Sequence, residues 1–435
     1  MQRLALFSLV PVFLAAGARA EAPRRLTFQG AIELALGEHP EVAAAREAVA
    51  GAEARARGAR ARRLPTLGVA AAGNLWREAY ALDFGGQSFV LHERTTTATS
   101  VTVAQPLTGL AYLSELVGAA EHDAAASRHD YDRARLDAAY RTADAYLRAL
   151  EAHAAAEVAR QTAADLQGEL ARAQELRRAD AYTDIDVLRF RSAKAAADQS
   201  ALRADAVSET ALAGLAVQLG LHDGAPIEIA DDLPPAPPAL ARTLEQAQQR
   251  ALAARPELLK ARERLAAADD LRRAARTKYL PEVRAVGVWQ HLTGVQPFQP
   301  RDEEYAGVQL AWNMWDWGAT HQGVVEAEHA QRAAAIGADA LVDQVKLDVR
   351  RRWLEARTAY DSLAAARTQE EAAEEAYRLQ KVRLANAAAT ATDVLDAETE
   401  AARGRLGVAV ARYDYYLALV ALARAVGDLP GPAAR

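Results

Sequence analysis

The stretch that decides the fold is GEHPEVAAAREAV, residues 37 to 49, because AARPELLKARERL at residues 253 to 265 repeats its pattern. Aligning Pro40 with Pro256 gives an offset of 216 positions, which also matches Leu64-Pro65 to Leu280-Pro281 without a gap. Further along the chain the offset becomes 207, as in DVL at 186 to 188 and 393 to 395. The first half therefore holds nine extra residues, and the chain is one object built from two halves, with a period far longer than a solenoid repeat.

Each half predicts a helix followed by two strands. Pro40 and Pro256 suit the first turn of a helix, where a missing N–H costs nothing. The pairs Leu64-Pro65 and Leu280-Pro281 end these helices, because a residue before proline is driven toward extended geometry. The following segments, such as YAGVQLAWNM at 305 to 314, alternate apolar and small or polar residues with a period of two. We therefore predict β-hairpins at 65–107 and 281–316, the first in a repeat covering 21–220 and the second in a repeat covering 243–427.

Each half then predicts a long helix and a shorter one. Few glycines and no prolines interrupt residues 111–178 and 318–385, so each segment predicts a rod of roughly 100 Å at 1.5 Å per residue. The shorter helices are predicted at 184–220 and 391–427. The last one carries apolar and small residues at heptad steps, which predicts a coiled-coil seam of Leu395, Thr399, Ala402, Leu406, Ala409, Tyr413, Tyr416 and Val420.

The remaining segments concern export and linkage. Residues 1–20 carry an early arginine, an apolar stretch and a small-x-small triplet, which is typical of a secretory signal peptide. A Pro-rich segment at 221–242 is expected to link the halves outside any helix, and residues 428–435 form a C-terminal tail. No later window predicts a transmembrane helix. Removing the signal leaves 50 basic against 58 acidic residues, a charge of −8, so nucleic acid is not an expected partner.

The chain has no cysteine. Disulfides, thiolate metal sites and a lipoprotein anchor are therefore not expected. Five of the six tryptophans lie in or beside the strand segments, namely Trp76, Trp289, Trp312, Trp315 and Trp317. Amphipathic rings at strand ends indicate a membrane-interface girdle, and a soluble sheet with core tryptophans is the alternative. Four strands cannot close a barrel, so the membrane interpretation requires several chains to share one.

The duplicated plan, the LP boundaries, WNMWDWG at 312 to 318 and TDVLDAETEAARGRL at 392 to 406 resemble a TolC-type outer membrane efflux protein of the outer membrane factor family. The resemblance covers essentially the whole mature chain. It implies a mainly α fold in which three chains form an α-helical barrel continued by a shared twelve-stranded β-barrel in outer-membrane lipid. It further implies a passive exit duct of a tripartite efflux or type I secretion system, which works with a periplasmic adapter and an inner-membrane pump.

By the same resemblance, Asp393 and Asp396 match an Asp-x-x-Asp pair at the periplasmic tip. Three chains would place six carboxylates around the axis, where a narrow acidic ring selects cations and constricts the channel. The alternative is helix capping, which explains Asp393 better than Asp396. Asp184 and Asp186 in the first-half turn have the same two interpretations, and capping is favoured there.

The tip also departs from the family pattern. Ala387 and Ala389 stand where a glycine and a basic residue are common, and Asp180 stands where the first-half turn commonly has glycine. The acidic ring is expected without its usual salt-bridge lock, and adapter docking at these turns is expected to use different contacts.

Other classes of function have less support. The sequence lacks the glycine-rich, zinc-protease and nucleophile-elbow motifs of common enzymes, so neither an enzyme nor a cofactor is expected. His122 and His129 lie seven apart on the long helix, but two imidazoles without a third ligand do not predict a metal site. The alternative function is a periplasmic coiled-coil scaffold or adapter that does not enter the membrane, against which the duplicated strand pairs argue.

Overall fold

The computed structural model describes residues 24–180, 182–221, 227–295, 300–386 and 388–431; the predicted signal peptide lies outside these residues. The first half comprises β1 (Arg24–Leu26), α1 (Phe28–Glu38), α2 (Pro40–Ala61), β2 (Thr66–Leu75), β3 (Tyr80–Phe84), β4 (Gln87–Pro106), α3 (Gly109–Arg178) and α4 (Asp184–Gln218). The second half comprises β5 (Ile227–Ile229), α5 (Leu244–Ala254), α6 (Pro256–Thr277), β6 (Glu282–Val295), β7 (Asp302–Ala311), α7 (Ala319–Ala385) and α8 (Ala391–Val426).

The two halves have closely similar helix lengths and the same helix packing. Helices α2 and α6 each have 22 residues and carry their proline in the first turn. The long helices have 70 and 67 residues, or roughly 105 and 100 Å, and the helices that follow have 35 and 36 residues. Within each half the long helix packs against the helix before the strands at one end and against the shorter helix at the other. The whole is therefore an elongated rod of paired helices.

The main sheet stands at one end of this rod. Its antiparallel order is β2-β4-β6-β7, so the hairpins of the two halves meet through β4 and β6. The structure adds a strand to the four that the sequence predicts, because β3 pairs with the outer part of the 20-residue strand β4 as a ribbon. A two-residue turn at Gly85 and Gly86, both with positive φ, closes the ribbon as a tight hairpin requires.

The predicted linker does more than join the halves. Residues Ile227–Ile229 form β5, which pairs in parallel with β1 at the start of the chain. The hydroxyl of the buried Tyr146 of α3 lies within hydrogen-bond distance of two carbonyls, at 2.8 Å from Leu26 in β1 and 2.7 Å from Ala230 just after β5. No described residue of the linker is helical. The described part of this linker, residues 227–242, therefore lies across the middle of the rod, and we call it the belt.

Three neighbouring tyrosines of α8, at positions 413, 415 and 416, hold the rest of the belt. The hydroxyls of Tyr415 and Tyr416 donate at 2.6 Å to linker carbonyls of Pro238 and Pro234. Tyr413 donates at 3.0 Å to Asp231, which also pairs with Arg412 at 2.8 Å. These tyrosines belong to the largest buried cluster, which α1, α3, α4 and α8 share with Leu233 of the belt. The core of the chain therefore lies at its middle.

The seam predicted on α8 is correct only in its upper part. Tyr413, Tyr416 and Val420 are buried, but Thr399 and Leu406 near the start of the helix are exposed. There the buried positions are one residue earlier and include Val394, Glu398 and Ala401. The helix faces two neighbours, α7 and the α3–α4 pair, and its tightest contact is with α7.

Helix α8 is also long and apolar enough to cross a membrane by length and composition, which the sequence prediction did not anticipate. A packed helix passes the same test, and here α8 packs against α3, α5 and α7. Its tyrosine hydroxyls bond to the belt. We therefore treat α8 as a helix of the rod.

Candidate functional site at the helical tip

The turn between α7 and α8 ends in a capping box. Thr390 has extended geometry, and its hydroxyl accepts from the backbone N–H of Asp393 at 3.2 Å. In return, the carboxylate of Asp393 accepts from the Thr390 backbone N–H at 2.7 Å and from its hydroxyl at 2.8 Å. These bonds, led by the backbone N–H of Thr390, lower the pKa of Asp393. The capping interpretation of Asp393 is therefore satisfied in the single chain.

The turn between α3 and α4 repeats this device. Thr183 and Asp186 form the same box, with the carboxylate at 3.0 Å from the backbone N–H and 2.7 Å from the hydroxyl. Asp184 instead pairs with Arg177 at 2.7 Å, and the hydrogen bond from that guanidinium lowers the pKa of Asp184. Arg177 also reaches Asp180, whose φ is 57°, at 3.1 Å. An arginine thus neutralises two of the three aspartates of this turn.

Asp396 behaves differently from the capping aspartates. It lies one turn after Asp393 and is exposed, and it forms no hydrogen bond or ion pair within the described ranges. The other predicted docking residue of this turn, Ala387, lies outside the described residues. Both aspartates therefore lie at the solvent-accessible end of the rod. Asp393 caps α8, whereas Asp396 makes no contact within the described part of one chain that would explain it structurally.

Two arginines at the tip were missed from the sequence. Arg189 of α4 donates to the Thr392 hydroxyl at 2.8 Å and so joins the two tip turns. Arg383 donates to the Ala388 carbonyl at 3.2 Å, and its charge contributes to the lowered pKa of Asp393. The offset of 207 places Arg189 at the position equivalent to Asp396, which was the signal available in the sequence.

The opposite end of the rod carries a sheet with two unlike faces. Directly paired residues of an antiparallel sheet share a face, so the register defines both. One face is apolar near the helices and much of it is exposed, with Leu67 and Val69 on β2 and Val308 and Leu310 on β7 each about two-thirds or more exposed. The other face carries mostly small and polar residues, among them Gly68, Ala70, Ala72, Ser100, Thr102 and Gln290.

Both outer strands of this sheet are unpaired along one edge. Strand β2 pairs only with β4, and β7 pairs only with β6, among the described residues. Every residue of β2 is exposed. The chain therefore ends in two open edges and an apolar surface, which no other part of the described chain covers.

The tryptophans predicted to mark the membrane boundaries occupy both ends of the sheet and its middle. Trp76 follows β2 at the far end, where its indole N–H donates to Thr96 at 3.0 Å. Trp312, Trp315 and Trp317 follow β7 at the helix end and are all exposed. Trp289 lies inside β6, so the expectation of strand-end positions does not describe it.

His122 pairs with Glu263 at 2.7 Å, which gives that histidine a structural partner on α6.

A sheet with open edges is continued here by paired helices of about 100 Å, an arrangement that known outer-membrane channels share. Solved structures share this fold: a membrane protein from Pseudomonas aeruginosa (TM-score 0.79, 21% identity, 92% of this chain and 90% of that one), CusC (0.80, 16%, 92% and 92%), and the outer membrane protein VceC from Vibrio cholerae (0.76, 17%, 92% and 96%). The predicted fold class is thereby confirmed.

The chain belongs to the outer membrane efflux protein family, whose model matches residues 31–221 and 247–428. The two matched segments correspond to the two structural halves, and residues 222–246 between them include the belt and the start of α5. No curated protein matches the sequence of this chain. The resemblance drawn from the sequence motifs is thus confirmed at the level of the family.

Proposed function

We propose that this chain is one of three identical subunits of a passive outer-membrane exit duct. The observation that carries the proposal is the sheet with two open edges, one exposed apolar face and one small and polar face. In lipid, every backbone N–H and C=O must be paired, so an open sheet must close with other chains. Three copies of the four main strands form a twelve-stranded barrel, with the apolar face toward lipid and the polar face toward the lumen.

The lengths of the elements support the same arrangement. Strands β2 and β7 have 10 residues each, which is the length that a tilted strand needs to cross a bilayer. The exposed tryptophans at the two ends of the sheet would then lie at the two membrane interfaces. Below them the long helices would carry the duct across the periplasm. A scaffold that stays in the periplasm would leave this apolar sheet face exposed to water, which is unfavourable and argues against that alternative.

We further propose that the tip is the gate and that Asp396 is its main charge. Three copies would gather six carboxylates from Asp393 and Asp396 at the end of the duct, where they attract cations and repel one another. Asp393 would serve as both cap and ring member. A periplasmic adapter would dock at these turns, including Asp180, Asp184, Asp186 and Ala387, and an inner-membrane pump would supply the energy.

The gate assignment is tested by separating the cap from the charge. Thr390→Val removes the capping hydroxyl and leaves both carboxylates, whereas Asp396→Asn removes a carboxylate and leaves the cap. In purified trimers in planar bilayers, we expect Asp396→Asn to reduce cation selectivity and Thr390→Val to leave it unchanged. If Asp396→Asn left cation selectivity unchanged, Asp396 would not be the main charge of the gate, and an effect of Thr390→Val would then show that the cap alone matters.

The duct itself is tested by whether the protein conducts ions. Purified protein from outer membranes, added to a planar bilayer, should produce uniform conductance steps, because each trimer supplies one lumen of fixed width. The matched control is a variant with Leu67→Asp and Val308→Asp, which places charges on the face proposed to contact lipid. Loss of insertion in this variant supports the face assignment; an absence of steps from folded wild-type trimers would refute the duct.

A further inference from the structure

A layer of charged side chains lies where α8 meets α3, with its centre at Glu398, about 8 Å along the helix from Asp393. Glu398 of α8 is only 2% exposed. Arg405 lies about two turns after Glu398 on α8. It donates at 3.5 Å to Glu398 and at 3.2 Å to Asp165 of α3, and it also bonds to Glu374 of α7. One guanidinium therefore holds three carboxylates from three helices.

The neighbouring helices add further charges to this layer. On α7, Lys381 pairs at 2.7 Å with the buried Glu169 of α3 and lies 4.9 Å from the ring of Tyr377. On α4, the groove beside Glu398 is lined by alanines and Ser200, none of which titrates. The acidic members are Asp165, Glu169, Glu370, Glu374 and Glu398, against Lys381 and Arg405. These named members include three more acids than bases; Glu398 and Glu169 are buried, whereas Asp165, Glu374 and Lys381 are partly exposed to water.

Glu398 bears most of this imbalance. Its Oε1 atom is buried and makes no hydrogen bond to the described residues. Burial, together with the nearby charges of Asp165 and Glu374, raises its pKa to about 7. The charge of Arg405 and the Tyr377 hydroxyl act in the opposite direction. Burial likewise raises the pKa of Glu370 on α7. Glu398 is consequently the group of this layer that changes charge near neutral pH.

The packing around the layer is unequal on its two sides. At Gly404 the backbones of α8 and α7 nearly touch, since a Cβ there would lie 2.9 Å from the Cα of Glu370. Toward α3 and α4, α8 instead borders a groove of about 410 Å³. Here α8 packs more closely against α7 than against α3, where the charged layer lies beside the apolar cluster of Leu170, Ala173 and Ala391. Separation at this contact would expose Glu398 to water.

We propose that the Glu398 layer is a proton-controlled joint between the α7–α8 pair and α3. With Glu398 protonated, the layer has one less negative charge and the joint stays closed. When Glu398 loses its proton, the arrangement that exposes it to water gains stability. The link from joint opening to duct opening rests on the proposed function.

Linkage gives the direction and the size of the pH effect on the ratio of open to closed joints. Glu398 would titrate near 7 in the closed joint and near the ordinary 4.5 when exposed. Rising pH therefore favours the open joint. Between pH 5.5 and 8.5 the ratio of open to closed joints is expected to rise about 30-fold.

The test compares purified wild-type trimers with Glu398→Gln and with Glu400→Gln, a control whose exposed carboxylate pairs with Arg403. Open probability in planar bilayers should rise with pH, with a midpoint near 7, in the wild type and in Glu400→Gln. Glu398→Gln should stay low and flat. If the open probability of the Glu398→Gln trimer changed with pH as in the wild type, the proposed joint would be refuted. It would also be refuted if the double variant Asp393→Asn, Asp396→Asn, with Glu398 intact, lost the pH response.

A second readout needs no conductance. The chain has no cysteine, so Gln167→Cys on α3 and Arg403→Cys on α8, both at exposed positions, allow specific spin labels. We expect the distance distribution between the labels to widen as pH rises through 7 and to stay narrow with Glu398→Gln. Widening without conductance would support the joint and refute the duct; conductance with a constant distance would support the duct and refute the joint.

Discussion

Replacing Asp231 with alanine should loosen the belt that fastens the two halves. Its carboxylate accepts from Arg412 at 2.8 and 3.2 Å and from the Tyr413 hydroxyl at 3.0 Å. Bonds to charged groups are each worth about 1.5–3 kcal/mol, but the Asp231 side chain is 36% exposed, which weakens them. We therefore expect a loss of about 2 kcal/mol, because Arg412 and the buried Tyr413 lose a partner that water only partly replaces.

Local proteolysis measures this loss. A protease that cuts before isoleucine or leucine can attack the belt only when it detaches, so the cutting rate reports the detached population. A change of about 2 kcal/mol corresponds to roughly 30-fold faster cutting in Asp231→Ala. The control is Asp232→Ala, which removes one bond of 3.3 Å from the backbone N–H of Phe28. Equal rates for the two variants would refute the argument that Asp231 fastens the belt.

Three further predictions address packing, the belt and the caps. Gly404→Ala should lower the thermal midpoint of the trimer because its Cβ would meet the α7 backbone at 2.9 Å, whereas Gly407→Ala, with nothing within 4 Å, should not lower it; equal effects would contradict the close approach. Tyr415→Phe should cost about 1 kcal/mol of stability, and because burial raises the pKa of Tyr415 to about 12, wild-type stability should not fall through loss of this proton up to pH 10; a midpoint unchanged in the variant would argue against the bond. The pKa of Asp186 is lowered by its bonds from Thr183, so the cap stabilises α4 above the ordinary pKa of 3.8 and is lost as pH falls through the lowered value; hydrogen exchange should show acid fraying of the first turn that Thr183→Ala already displays at neutral pH, and equal exchange in the two proteins would refute the cap.

Local signals in the sequence predicted the rods well because they are local. Proline at the first turn and the Leu-Pro pairs fix where helices begin and end through backbone sterics, which need no partner. Helix α3 spans Gly109–Arg178 where 111–178 was predicted, and α7 spans Ala319–Ala385 where 318–385 was predicted. The longer first hairpin, with its β3–β4 ribbon, agrees with the extra residues of the first half.

Features that depend on distant partners were not predictable from one chain of letters. The belt was identified only as a linker, since its pairing joins β5 to β1, about 200 residues away. Tyr413 and Tyr416 fitted a heptad seam, and nothing local indicated that their hydroxyls bind linker groups. Glu398 fitted no apolar pattern, and its burial depends on Arg405 and two other helices. The tip caps were predictable because Thr and Asp lie three residues apart.

The most direct test of the account is the mass of the protein extracted from outer membranes in mild detergent, measured by light scattering with the detergent contribution subtracted. The account predicts a particle of three chains, because only a shared barrel satisfies the open edges of the sheet. A soluble monomer or dimer, found without detergent, would contradict it and would mean that the strands form an ordinary sheet.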